Sequence, residues 1–378
     1  MGRGKAEFPQ PFAAAVRKHL GPGEISLVSI IPSLPQFMML PGLLLTLFAF
    51  STPQADIKPA GFPRDTTPGV ETMDERVARE SEAIRQAVQA FADDEANGLT
   101  PYLSEDGRVR VYTDFKSRDA KNAFKRIGLM FDRVDHALGY AGEEPEPLFA
   151  FMIARSGAYH GLCDAVAAAE PLQADFMQQS KATTGFTIFA PELTVYFHDL
   201  SVQEEARPDH SVGHNLVHLE LHRRYGVLPL WIREAIATAA EDMATGEVYA
   251  PWHLNGFVFA SSHGEWRGKK TQKQIAKVES LDPLFTYTAK PYRDDLAHLG
   301  FAFAVYSMLE KPKSLDGFLS AMQEKYKETN EKGGRPAFTL TMTQEMFAAH
   351  YEEDFLKDFK KWWKKPPKWN KLPKKRKD

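Results

Sequence analysis

"SVGHNLVHLELHRRYGVLPLWIREAIATAAED" occupies residues 211–242. His214 and His218 are four apart, so on a helix their imidazoles share a face and can meet at one ion. Asn215 stands where the metal-binding motif H-E-x-x-H carries its glutamate. Gly226 and Pro229 then punctuate the chain, and a second apolar run from Leu230 carries Glu234, sixteen residues past His218. That interval holds the end of one helix, a turn, and the start of a second helix folded back on the first. A tetrahedral metal with three protein ligands and one open position needs a third donor, and Glu234 is the candidate. His210 and His222 extend the four-residue step. Each step rotates the side chain by about 40°, so only adjacent members share a face closely. These two are therefore expected to pack or solvate rather than to ligate.

Upstream of this segment, "DERVARESEAIRQAVQAFADDEA" has helical spacing on Val77, Ile84, Val88 and Phe91. "GRVRVYTD" alternates as a strand, and "KNAFKRIGLMFDRVDHALGYA" follows as an amphipathic helix. "PLFAFMIA", "GFTIFA" and "LTVYFHD" are further strand candidates. Downstream, "LAHLGFAFAVYSMLE" and "LDGFLSAMQEKY" are helical, and no internal repeat is present. Strands early and helices late predict an α+β domain with the histidine helix following a small sheet.

The chain has 378 residues, 43% of them hydrophobic, which suits a globular protein with a substantial core. Its net charge of −3 is unevenly distributed. From Phe355 onward there are eleven Lys/Arg and two Asp, leaving 36 basic and 48 acidic residues before it. An acidic body therefore carries a basic tail. The single cysteine, Cys163, supplies no internal disulfide and no thiolate cluster, so a metal here must be held by His and carboxylate. Residues 1–55 read as an export signal. Arg17 and Lys18 precede an uncharged run from Ile25 through Gln54, either cleaved near Ala55 or kept as an anchor. The Pro-rich stretch 56–72 reads as a linker. In the tail, 356–378, lysines interleave with Trp362, Trp363 and Trp369. An anionic surface is a possible partner, and no specific nucleic acid is expected. The plainer expectation is a last helix burying Phe355, Phe359 and Trp362 ahead of a solvated end.

The central segment resembles the gluzincin superfamily of zinc metallopeptidases. It is most similar to secreted bacterial peptidase-like domains with "HE-x-x-H-x-L-x-H-R" followed by "L-P-x-W-L-x-E-G-x-A-x-x-x-E". Matching positions include His214, His218, His222, Arg223, Leu228, Pro229, Trp231, Glu234 and Glu241. The likeness covers roughly residues 108–330, within a domain of 73–355. The resemblance implies zinc on His214, His218 and Glu234, and hydrolysis of peptide bonds in an exported or periplasmic protein. It also marks departures. Asn215 replaces the general base, and an amide takes up no proton near neutral pH. Ala235 replaces a glycine, and Thr238 replaces a carboxylate one turn after the ligand glutamate. His298 is the candidate for an oxyanion-stabilising role that a tyrosine fills in the family. Glu220, about 140° around the helix from Asn215, points away from the ligands and offers no substitute base. Three functions follow: a zinc peptidase-like protein with impaired or lost hydrolysis, an active peptidase using another base, or a non-enzymatic scaffold binding a peptide or protein partner.

Overall fold

A computed structural model describes residues 73–139, 146–198, 208–248, 261–262, 266–287, 294–331 and 338–368. The expected export signal (1–55), the linker up to residue 72 and Trp369 lie outside them. The described chain is α+β, mostly helical, with a small mixed sheet. Its sheet-forming part interleaves helices with strands: α1 (Met73–Asp93), β1 (Thr100–Leu103), β2 (Val109–Thr113), α2 (Ser117–Leu138), β3 (Leu148–Ile153), α3 (Ser156–Ala169), α4 (Ala174–Ser180), β4 (Gly185–Ile188) and β5 (Leu193–Phe197). Strand order is β1-β2-β3-β5-β4. The three inner strands run parallel, and β1 and β4 pair antiparallel at the edges. The small sheet lies early in the chain, as expected for this α+β domain, with helices set between its strands. Helical crossovers are what permit the parallel pairs.

β3 shows why both sheet faces are covered. All six of its residues are buried. Phe149, Phe151 and Ile153 pack with Ile84 and Val88 of α1 and Tyr159, Leu162 and Val166 of α3. Leu148, Ala150 and Met152 alternate to the other face, against Ala120, Ile127 and Phe131 of α2. Val212, Leu216 and Leu219 of α5 (Pro208–Tyr225) join that second layer.

From α5 onward the chain is mainly helical: α6 (Leu230–Thr245), a two-residue ladder of β6 (Glu247–Val248) with β7 (Ser261–Ser262), α7 (Lys269–Lys277), α8 (Asp282–Phe285), α9 (Asp294–Glu310), α10 (Pro312–Glu331), α11 (Leu340–His350) and α12 (Phe355–Lys364). Trp231, Phe303 and Phe318 anchor the core of this half, and Val217 and Leu221 of α5 reach into it. α5 is therefore the shared wall between two cores, which is why it lacks a continuous polar face. Its approach to α2 is close. A Cβ on Gly213 would lie 2.4 Å from Met130 Sδ, so only glycine fits beside His214 without displacing that side chain.

The last helix corrects the expected tail register. Phe355, Phe359 and Trp363 are the buried residues of α12, and the Trp363 indole N–H donates to the Ala302 carbonyl at 3.2 Å. Trp362 is half-buried, its N–H donating to Glu310 Oε1 at 2.8 Å. No described helix is long and apolar enough to cross a membrane.

Candidate metal centre

α5 ends at Gly226, whose φ of 67° is left-handed backbone that favours glycine. Pro229 caps the start of α6, fixing the turn between the helices. α6 then packs along α5, buried without interruption from Trp231 to Met243. This turn and packing bring Glu234 to the two histidines. His214 Nε2 lies 3.1 Å from Glu234 Oε2, and His218 Nε2 lies 3.3 Å from Glu234 Oε1. One donor atom from each of the three residues falls within 4.8 Å of the others. The imidazole centroids are 4.6 Å apart with planes at 87°. For ligands about 2.0–2.1 Å from a tetrahedral metal, neighbouring donor atoms stand about 3.3–3.4 Å apart. The two His–Glu separations, each to a different oxygen of Glu234, are close to that edge, and two imidazoles with a carboxylate are a donor set that a zinc ion can take.

All three side chains are almost wholly buried, so their charges are tightly coupled. Burial works against a charged His214. Its contacts with Glu234 and Glu241 outweigh that and raise its pKa to about 9. For His218, burial dominates and the neighbouring His214 adds repulsion, lowering its pKa to about 4. Burial opposes ionisation of Glu234, but the two histidines hold its carboxyl well below the usual range. The cluster therefore carries one proton near neutral pH, on His214, alongside the Glu234 carboxylate. A metal bound there would displace that proton.

No family model matches the chain, and no curated protein matches it. The reading of the site rests on its own residues.

Asn215 lies on α5 between the two histidines, half-buried and with no side-chain hydrogen bond among the described residues. Glu220 is fully buried elsewhere. Its Oε1 accepts from Arg224 Nε at 2.7 Å and lies 3.4 Å from Arg108 Nη1, while both arginines also bind Asp135. It ties α5 to β2 and α2 and is not free to act as a base. His222 packs against Phe189, centroids 4.8 Å apart, and burial followed by the nearby Arg233 lowers its pKa to about 4. The side chain of His210 lies outside the described residues. His298, on α9, is buried and stacked on Trp266, with Nδ1 2.6 Å from Thr271 Oγ1. The structure thus brings His298 to α7, and gathers His214, His218 and Glu234 without it.

Glu241 has a contact at this site that its position in the sequence did not by itself reveal. It is fully buried, and its Oε2 lies 3.4 Å from His214 Nδ1, the nitrogen facing away from Glu234. Seven residues past Glu234, it returns to within about 20° of the same helix face, so heptad spacing carried the signal. Thr238, one turn after Glu234, is fully buried, and its hydroxyl has no hydrogen-bond partner among the described residues.

Proposed function

We propose that this chain is an exported, gluzincin-like zinc protein that binds a peptide or protein ligand and hydrolyses peptide bonds weakly or not at all. The observation carrying the reading is the convergence of His214, His218 and Glu234 at spacings near a tetrahedral edge. The uncharged run from Ile25 through Gln54 supports export.

His214 and His218 would hold the ion through Nε2 and Glu234 through its carboxylate, while Glu241 would fix the His214 ring through Nδ1. A zinc ion there supplies a Lewis acid for a peptide carbonyl and lowers the pKa of a nearby water. Asn215 then sets the limit. In the base position it can orient a water by hydrogen bonding but cannot take its proton or hand one to a leaving amine. Absence of a positioned base costs about 10²–10⁴-fold in rate. Glu220 cannot supply the base from its arginine contacts.

A second reading draws on the His214–Glu234 contact. A protonated His214 between Glu234 and Glu241 satisfies the cluster without metal, on a scaffold that binds a partner. Metal analysis after extensive dialysis separates the two. About one zinc per chain, lost in His214→Ala, is expected, and zinc-free protein refutes the site. A general protease assay on wild type and Asn215→Glu tests the chemistry. The variant is expected to gain two orders of magnitude or more, whereas robust wild-type activity that vanishes in His214→Ala refutes the impaired-hydrolysis reading.

A further inference from the structure

The fold joins two lysine groups that lie about ninety residues apart in sequence. α7, "KKTQKQIAK", buries only Thr271 and Ile275 and exposes Lys269, Lys273 and Lys277. It packs directly against α12. Arg267, just before α7, fastens the chain beyond α12 by donating to the carbonyls of Pro366 and Pro367 at 3.4 and 2.5 Å. On α12, Lys361 and Lys364 lie opposite the buried Phe355, Phe359 and Trp363, and the half-buried Lys360 lies on the flank of the same helix. Among the described residues none of these six lysines has an acidic partner. The contrast with an otherwise acidic body is sharp, since the chain before Phe355 carries a net −12 (36 − 48). Helix-dipole preference accounts for lysines at the end of α12, but not for Lys269 at the start of α7.

We propose that α7 and α12 form one basic surface that docks the protein on an anionic phospholipid bilayer. The apolar half of α12 is buried in the core, so the contact is one of charge with headgroups, without insertion. Lysines, as point charges, suit a diffuse anionic plane. The rings of α12 are packed inside the fold or, for Trp362, tied to Glu310, so the helix lacks the stacking platform that single-stranded nucleic acid requires.

The test is flotation of the full chain with phosphatidylcholine vesicles, with and without about a third phosphatidylserine or phosphatidylglycerol. Binding to neutral vesicles sets the baseline for the uncharged N-terminal run. Each lysine within a Debye length of the surface contributes about fivefold in affinity. The triple variant Lys269→Gln/Lys273→Gln/Lys277→Gln is therefore expected to weaken the anionic component on the order of 100-fold, with circular dichroism unchanged. Raising salt from about 0.1 M to 1 M shortens the screening length from about 10 to 3 Å and is expected to abolish that component. The proposal is overturned if neutral and anionic vesicles bind equally, if the α7 variant binds as wild type, or if an oligonucleotide at matched salt binds more tightly than the anionic vesicles.

Discussion

Glu241→Gln isolates the contribution of a single charge to the candidate metal centre. Glu241 is fully buried, and its Oε2 faces His214 Nδ1 at 3.4 Å while His214 Nε2 faces Glu234 at 3.1 Å. Glutamine keeps the shape and an acceptor oxygen but removes the charge that orients the imidazole and makes it more basic. Loss of such a supporting partner typically costs 10- to 100-fold in metal affinity, about 1.4–2.7 kcal/mol. Competition between the protein and a chromophoric zinc chelator measures this directly, with denaturant unfolding of the metal-free variant run in parallel to separate site from scaffold. The expected result is zinc binding weakened by at least tenfold. An affinity within twofold of wild type, while His214→Ala abolishes binding, refutes the argument that Glu241 supports the ligand.

Thr238→Val removes a buried hydroxyl that has no partner and preserves the β-branched shape, so it is expected to stabilise the protein by about 1 kcal/mol in denaturant unfolding and leave zinc affinity unchanged. Trp363→Ala is expected to cost about 3–5 kcal/mol, against about 1 kcal/mol for the half-buried Trp362→Ala, and equal unfolding midpoints contradict the assigned register of α12. With zinc chelated, stability is expected to peak near pH 6.5. His214, with its folded pKa raised to about 9, contributes stability that is lost as pH rises from about 6.5 through 9, while His218, depressed to about 4, contributes stability that is lost as pH falls from about 6.5 through 4. A flat profile from pH 4 to 9 refutes this coupling.

Local period was enough to find most of the elements. Alternation marked β2, and the 3–4 spacing of Ile127, Met130, Phe131 and Val134 marked α2. β1, "TPYL", escaped because its edge position leaves it largely exposed, without an apolar face to read. α3 carries a long alanine-rich run with little contrast between its faces. The sheet order β1-β2-β3-β5-β4 was not legible, since it depends on which strands the crossover helices set side by side. At the site, the His214/His218 pair and Glu234 were legible because helix geometry and one turn fix them. The expected burial of Trp362 at α12 was off by one position, since Trp362 and Trp363 both lie near the buried arc and only the contact with Ala302 selects between them. The Arg108–Glu220–Arg224 cluster was half legible. Arg224 sits four residues past Glu220, whereas Arg108 arrives from just before β2, 112 residues away.

These placements separate holding a metal from using it. His214, His218, Glu234 and Glu241 are mutually dependent and buried, and removing one member of such a charged cluster strands the others, a loss of about 3–5 kcal/mol for a buried pair. Asn215 is embedded differently. It is half-buried, makes no side-chain hydrogen bond among the described residues, and lies between the two histidines without supporting either. Exchange of glutamate and asparagine there changes proton transfer while leaving the contacts that assemble the site intact. The proposed metal site and the proposed chemistry are thus separable by substitution at a single position.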